Sequence, residues 1–328
     1  MKKAICMKIG LSVMAILILP FVGLSEAQQT AKVHRVGILA SSQTSPESPS
    51  ILALREQLRE LGYIEGENIT IEFRSAEGIV DRVPDLAAEL VRLKVDVIVT
   101  SNTTVVRTIR QITDTTPIVM VGSSDRPDIV ATPAKPGGNV TGSSVNREIS
   151  GKQLELLKET FPRLTHVAVL LSAPASPKRS RFQEAERAAR ALGLEVRPLE
   201  VRSAEDLENA FQPPHIGPAN GLLVIGSPLF NTHRKQVIAL AEKNRLPAIY
   251  PDRTWTKNGG LMSYGPDYTA MWRRAAFHVD KILKGAKPAD LPVEQPMKFE
   301  MVINLKAAKK IALVIPPEVL MWADEVIK

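Results

Sequence analysis

Residues 135–145 read KPGGNVTGSSV, and residues 258–265 read NGGLMSYG. Each stretch combines adjacent glycines with small polar residues, and each stands where a series of apolar runs ends. Glycine tolerates backbone angles that other residues resist, so such stretches suit a chain that leaves one sheet and enters another. We therefore interpret 135–145 as a hinge crossover whose hydroxyl groups border a cleft.

Two other interpretations of this stretch have less support. A phosphate-binding loop requires the spacing G-x-x-x-x-G-K-[ST] after a strand, and no lysine follows these glycines. Asn139-Val140-Thr141 is a formal glycosylation sequon, but such tripeptides occur often by chance.

The apolar runs around this stretch form two series in the same order. The run at 33–40 (VHRVGILA) corresponds to that at 165–172 (THVAVLLS), and the letters RSAE recur at 74–77 and 202–205. Stretches with apolar residues at helical spacing, such as 50–62, separate the runs. Buried runs separated by helices indicate parallel strands that are covered on both faces. The sequence therefore predicts an α/β protein of two Rossmann-like lobes, each a parallel sheet flanked by helices.

The chain is predicted to cross between these lobes three times. We expect the amphipathic helix at 267–285 to pack back on the first lobe and the strand that follows it to join the second. The predicted N-terminal lobe is 33–142 plus 265–287, and the predicted C-terminal lobe is 146–262 plus 296–328. The hinge crossovers are expected near 140–146, 262–266 and 287–296.

Residues 1–27 have the features of a secretory signal peptide. A lysine-rich start precedes an apolar run at 9–24, and residues 25–27 (SEA) form a small-x-small cleavage site. The apolar run is short for a membrane span of about 20 residues. We expect cleavage after Ala27 and a periplasmic protein.

Composition excludes several classes of protein and site. The single cysteine, Cys6, lies in the predicted signal peptide, so the mature chain has no disulfide, zinc–thiolate site or cysteine nucleophile. The formal charge is +7, and residues 1–27 hold three lysines and one glutamate, which leaves +5 for the mature chain. No block of like charges and no basic-aromatic pattern occurs, so we expect no nucleic-acid partner.

The sequence contains no constellation of catalytic residues. His233 and His278 lie in helical stretches without a second ligand at i+3 or i+4, and neither G-x-S-x-G nor H-E-x-x-H is present. We therefore expect no enzymatic activity, no metal and no cofactor.

Three motifs in a fixed order resemble a known bacterial family. They are LGYIEGENITIEFRSAEG at 61–78, PGGNVTG at 136–142 and NGGLMSYGPDY at 258–268. With the signal peptide and the duplicated lobes, they resemble the substrate-binding proteins of ABC transporters of the tryptophan/tyrosine-type uptake family, over essentially all of the mature chain. The resemblance implies the type I periplasmic binding protein fold, and we expect a monomer. It also implies that the lobes close on a small amino-acid-like or aromatic carboxylate ligand and deliver it to a membrane permease.

A sensor that presents its closed form to a chemoreceptor or a sensor kinase is the alternative, and the sequence of one chain does not distinguish the two functions.

The candidate ligand-binding residues follow the predicted strands. Ligands of open parallel sheets bind outside the carboxyl ends of the strands, and in two facing lobes these ends line one cleft. Hydroxyls and helix N-terminal N–H groups suit a carboxylate, acids suit an ammonium, and tyrosines suit an aromatic ring. The same polar residues are also ordinary helix N-caps. The candidates are Ser41, Ser42, Thr100, Ser101, Asn102, Thr103, Ser123, Ser124, Thr141, Ser172, Ser227, Tyr250, Asp252, Tyr264 and Asp267.

Overall fold

Two β-sheets with helices on both faces make up the protein after residue 32. The computed structural model describes residues 32–123, 127–145, 149–172 and 176–328. The predicted signal peptide and the candidate residue Ser124 lie outside these ranges, so both stay predictions. Within these ranges, no helix is long and apolar enough to cross a membrane.

The first sheet is entirely parallel. Its strands are β1 (His34–Ala40), β2 (Ile69–Ser75), β3 (Val97–Thr100), β4 (Ile118–Ser123) and β5 (Val140–Ser144). They are ordered β2-β1-β3-β4-β5. The central strand β3 is buried along its whole length, because helices cover both faces of the sheet.

The second sheet repeats this order and extends it by two strands. Its strands are β6 (His166–Ser172), β7 (Glu195–Val201), β8 (Gly221–Val224), β9 (Ala248–Tyr250), β10 (Met262–Pro266), β11 (Phe299–Asn304) and β12 (Glu325–Ile327). They are ordered β12-β11-β10-β9-β8-β6-β7, and β11 is antiparallel to β10. The order of β6 to β10 matches that of β1 to β5, which confirms the two α/β lobes predicted from the duplicated sequence.

Thirteen α-helices in the described ranges flank the two sheets. They are α1 (Pro49–Glu60), α2 (Val83–Arg92), α3 (Thr103–Ile112), α4 (Ile149–Thr160), α5 (Ser176–Ala191), α6 (Asp206–Ala210), α7 (Pro213–Ile216), α8 (Pro228–Thr232), α9 (Arg234–Lys243), α10 (Arg253–Lys257), α11 (Tyr268–Leu283), α12 (Leu305–Lys310) and α13 (Pro317–Trp322). Each sheet has a buried apolar cluster on both of its faces.

Helix α11 leaves the second sheet and packs on the first. Trp272 and Val279 on its buried face share one apolar cluster with Leu54 of α1. The hydroxyl of Tyr63 donates a hydrogen bond to Asp280 of α11 at 3.0 Å. Strand β11 then joins the second sheet, where it pairs with β10.

Strands occupy most of the positions predicted for the first two crossovers. The expected positions 140–146 and 262–266 are largely occupied by β5 and β10, which pair with β4 and β9. The glycines and hydroxyls that suggested loops are instead parts of strands. Because β10 ends at Pro266, the second sheet extends past residue 262, the predicted limit of the C-terminal lobe.

The third crossover is attached to the first lobe for most of its length. The backbone N–H of Glu294 donates to Gly142 at 2.9 Å, and that of Ser144 donates to Glu294 at 2.9 Å. The carboxylate of Glu294 accepts two hydrogen bonds from Arg274 of α11, each 2.7 Å long. Residues 296–298 are therefore the part of this crossover that remains between the lobes, rather than the expected 287–296.

Gly142 explains why the opening motif contains a glycine inside a strand. Its φ is +121°, and a Cβ at this position would collide with the backbone of Met120 on β4. Gly138, four residues earlier, has no atom within 4 Å of the same position. Of these two glycines, only Gly142 is required for packing.

We predict that G142A lowers the free energy of unfolding by more than about 2 kcal/mol, because it combines an unfavourable φ with a backbone collision. The control G138A should change it by less than about 1 kcal/mol, since it adds a methyl group in open space. Urea unfolding followed by circular dichroism measures both. Equal losses in the two variants would contradict this explanation.

Candidate functional site

A pocket between the two lobes lies at the carboxyl ends of their strands. Ile225 and Gly226 follow β8, Pro251 follows β9, and Val145 follows β5 of the first lobe. Tyr268 reaches the pocket from α11. Ligands of open parallel sheets bind at these carboxyl ends of the strands. The other lining residues are Ile149, Ser150, Gln153, Arg181, Val224 and Pro266.

Tyr268 provides the polar group on the first-lobe side of the pocket. It begins α11, and Asp267 caps this helix by accepting a hydrogen bond from the N–H of Ala270 at 3.0 Å. Its ring lies against Gly122, where a Cβ would stand 2.8 Å from ring atom Cε1. Burial, together with the nearby carboxylate of Asp252, raises the pKa of Tyr268 to about 12. The phenol therefore keeps its proton at neutral pH and can donate a hydrogen bond.

Asp252 directly follows the lining residue Pro251, and its carboxylate lies near Tyr268. It caps α10, and its Oδ1 accepts a hydrogen bond from the N–H of Thr254 at 2.8 Å. The side chain is half-buried. Burial raises the pKa of this carboxyl group, although the helix cap and the guanidinium of Arg234 act in the opposite direction. A carboxylate that is held in this way and shielded from water suits a positively charged group.

Two guanidinium groups belong to the same side of the site. Arg181 of α5 lines the pocket, and Arg234 packs over Trp255 with Cζ 5.6 Å from the ring centroid. The Nε of Arg234 is buried without a hydrogen-bond partner. Burial lowers the pKa of Arg234, and Asp252 partly offsets this effect. In the described part of the chain neither arginine has an acidic side chain within 4 Å, although Glu184 lies near Arg181 and Asp252 lies near Arg234.

Gln153 lines the pocket and links α4 to the second sheet. The side-chain amide of this α4 residue donates hydrogen bonds to the carbonyl oxygens of Tyr264 at 2.7 Å and Tyr250 at 3.3 Å. It therefore ties α4 to β9 and β10 without adding a charge.

Four of the sequence-predicted site residues are helix N-caps. Asn102 accepts hydrogen bonds from the N–H groups of Thr104 at 2.9 Å and Val105 at 3.2 Å. Ser227 accepts one from Phe230 at 3.2 Å and is itself buried. The remaining caps are Asp252 and Asp267.

Two predicted hydroxyls are used inside the first lobe. Thr100 is fully buried and donates to the carbonyl of Leu39 at 2.8 Å. Thr141 is also fully buried and donates to the carbonyl of Leu291 at 2.7 Å. No ligand can reach either hydroxyl in this conformation, so we leave both residues out of the proposed site.

The two predicted tyrosines pack within the second lobe. Tyr250 is buried and stacks on Trp255 with a centroid separation of 5.2 Å. Tyr264 stacks on Phe299 of β11 at 5.7 Å. Their rings are part of the core of this lobe, and we leave them out of the proposed site as well.

The other predicted residues lie at strand ends. Ser41 and Ser42 follow β1. Ser101 follows β3 and Thr103 begins α3, while Ser172 ends β6. Ser101 is exposed, whereas Ser41, Ser42 and Ser172 are half-buried. Ser123 ends β4. Contact of any of these side chains with a ligand stays a prediction.

Sequence reasoning missed Arg181 and Tyr268. Tyr268 could have been found, because it directly follows the predicted cap Asp267 in the motif SYGPDY. Arg181 lies nine residues beyond Ser172, in a helix with several basic residues, and no local signal distinguishes it from them.

Comparison with known proteins assigns the chain to a family. Residues 47–327 match the family model of the ABC transporter substrate binding proteins. The chain belongs to this family. Its members are binding proteins rather than enzymes, and they act outside the cytoplasm.

Similar proteins include two with named ligands. A tyrosine-binding protein of Clostridioides difficile (strain R20291) is 26% identical over 249 residues, which cover 75% of this chain and 72% of that protein. An ABC domain from Streptococcus pneumoniae in complex with L-Trp has a TM-score of 0.83 and 25% identity, covering 90% of this chain and 99% of that one. The ligand-free, open structure of a substrate-binding protein with adhesive properties from Clostridium difficile has a TM-score of 0.65 and 22% identity, covering 90% and 100%.

Proposed function

We propose that this protein is the extracytoplasmic solute-binding component of an ABC importer. It closes its two lobes on a small amino-acid-like or aromatic carboxylate ligand and delivers this ligand to a membrane permease as a monomer. The observation that carries the proposal is the pocket between the lobes, which Arg181 of the second lobe and Tyr268 of the first both line and near which Asp252 lies.

The chemistry of this pocket suits a zwitterion. We assign the ammonium group of the ligand to Asp252 and its carboxylate to Arg181, because oppositely charged hydrogen bonds are roughly twice as strong as neutral ones. Ser101, which is exposed just before α3, is a further candidate donor to an anion. Tyr268 offers a phenol and a ring face beside the same space.

The named relatives support an amino acid as the ligand. One is a tyrosine-binding protein, and the other was crystallised with L-Trp. Secretion through a signal peptide cleaved after Ala27 is consistent with the extracytoplasmic role of the family and belongs to the same proposal.

The proposed function is tested by thermal unfolding against a panel of amino acids and aromatic carboxylates. A ligand at about 100 times its dissociation constant should stabilise the protein by roughly 2.7 kcal/mol. We expect a clear increase in Tm with L-tryptophan or L-tyrosine. The protein is first unfolded and refolded to remove any bound ligand. If its Tm then rises with no amino acid and no aromatic carboxylate, the proposed ligand class is rejected.

We predict that D252N weakens amino-acid binding by about thirtyfold, or roughly 2 kcal/mol, because the amide can still cap α10 but carries no charge. The control D206N changes a second aspartate that accepts backbone hydrogen bonds at a helix start, from Arg202 at 3.1 Å and Ser203 at 3.2 Å. It should leave affinity unchanged. Isothermal titration calorimetry measures both variants, and equal affinity of D252N and wild type would remove Asp252 from the site.

The affinity for amino acids should also fall as the pH is lowered. This fall should begin at a higher pH than it would if the pKa of Asp252 were that of an ordinary aspartate. Burial raises the pKa of Asp252, so this carboxylate takes up a proton above the usual value of about 3.9 and then no longer attracts an ammonium group. Calorimetry between neutral pH and pH 5 measures the dependence. In D252N the same titration should be flat, and a slope retained there would assign the effect to another group.

A further inference from the structure

Thr232 of the second lobe contacts two loops of the first lobe. The backbone N–H of Gln43, after β1, donates to the hydroxyl of Thr232 at 3.3 Å. Gly78, after β2, lies so close that a Cβ at its position would stand 2.8 Å from the Oγ1 of Thr232 and 3.4 Å from its Cβ. One side chain therefore joins the lobes at two points.

The two loops form a fixed surface for this contact. The N–H of Gly78 donates to the carbonyl of Ser41 at 2.9 Å, and the hydroxyl of Ser75 donates to the carbonyl of Ser42 at 3.0 Å. Gly78 has a φ of +88°, which a residue with a side chain rarely adopts. The loops are thus bonded to each other, and Gly78 cannot easily move aside.

The duplicated sequence contains a natural comparison for Gly78. The first copy reads RSAEG at 74–78, and the second reads RSAED at 202–206. In the second copy Asp206 accepts hydrogen bonds from the backbone at the start of α6. Glycine replaces this cap in the copy that meets Thr232, where both the positive φ and the close approach of the other lobe favour glycine.

The contact lies far from the hinge. The crossovers leave the sheets from β5 and β10, whereas Gly78 follows β2, four strands away from β5. At about 4.8 Å per strand this separation is about 19 Å, so a hinge rotation of about 20° would move Gly78 from Thr232 by about 7 Å. A contact at this distance is made only when the lobes are nearly closed.

We propose that Thr232 and Gly78 form a latch that holds the closed form at the mouth of the cleft and slows release of the ligand. This inference rests on the proposed function for its effect on ligand release, but the contact itself does not require any ligand. The latch adds no contact to the ligand. It acts through the equilibrium between the open and closed forms.

The first test compares G78A with G66A. Gly66 has a φ of +90° and no atom within 4 Å of a Cβ, so alanine strains the backbone equally at both sites but meets Thr232 only at residue 78. With L-tryptophan and L-tyrosine as probes, G78A should weaken binding at least about tenfold, mainly through faster dissociation. G66A should stay within about twofold of wild type. Equal affinities of the two variants would overturn the latch.

Substitutions at residue 232 separate the hydroxyl from the bulk of the side chain. T232A should raise the dissociation rate, whereas T232S keeps the hydroxyl and should restore slow release. Combined with T232A, G78A should cost much less affinity than it does alone, because the collision partner has been removed. Additive losses in the double variant would count against direct contact between the two residues.

A cross-link tests the contact without a ligand. In a C6S background the variant G78C/T232C has two thiols whose Cβ atoms would be about 3.4 Å apart, close to the separation found in disulfides. We expect a cross-link within one chain under mild oxidation, and none in G66C/T232C. If wild type binds neither amino acid but the cross-link forms, the proposed ligand class fails and the latch stands. If binding is intact and G78C/T232C does not cross-link, the latch is wrong.

Discussion

The apolar face of α11 is buried on the first lobe, although the strands before and after this helix belong to the second. Trp272 and Val279 pack against α1, and burying one such side chain contributes roughly 1.5–3 kcal/mol. This packing forces the chain to cross between the lobes twice more after the first crossover. Three connections along one side of the two sheets restrict the lobes to a hinge motion, so the packing of one helix determines how the pocket opens and closes.

The same helix places Tyr268 opposite the charged side of the pocket. Burying a carboxylate is unfavourable unless a cation or several hydrogen bonds compensate for lost water. Asp252 has a helix cap but no ion pair within 4 Å in the described part of the chain, and burial raises its pKa. In the proposed function the ammonium group of the ligand supplies the missing partner. The ligand then stabilises the closed form through this electrostatic interaction, in addition to the contacts between the lobes.

The sequence was a good guide to the fold and a partial guide to the site, for physical reasons. Apolar runs and helical spacing report burial, which is local, so the repeated order of strands could be predicted before the structure was known. A hydroxyl after a strand can serve a helix cap, the core or a ligand. Thr100 bonds Leu39 and Thr141 bonds Leu291, far away along the chain, and no local pattern reveals these partners. Arg181 reaches the pocket through the orientation of α5, which is likewise a matter of tertiary packing.

Glycines at positive φ illustrate the same limit. Gly66, Gly78 and Gly142 all adopt angles that favour glycine, yet they differ in what surrounds them. Gly66 faces open space and serves only its turn. Gly142 lets β5 approach β4 beside the hinge, and Gly78 lets the second lobe approach the first at the opposite edge of the sheet. Because a hinge rotation displaces atoms in proportion to their distance from the axis, Gly142 keeps its neighbours during opening while Gly78 loses its own. A side chain at Gly78 therefore weakens the closed form in addition to the backbone strain that it shares with Gly66, and this position influences ligand release in a way that its residue type alone does not suggest.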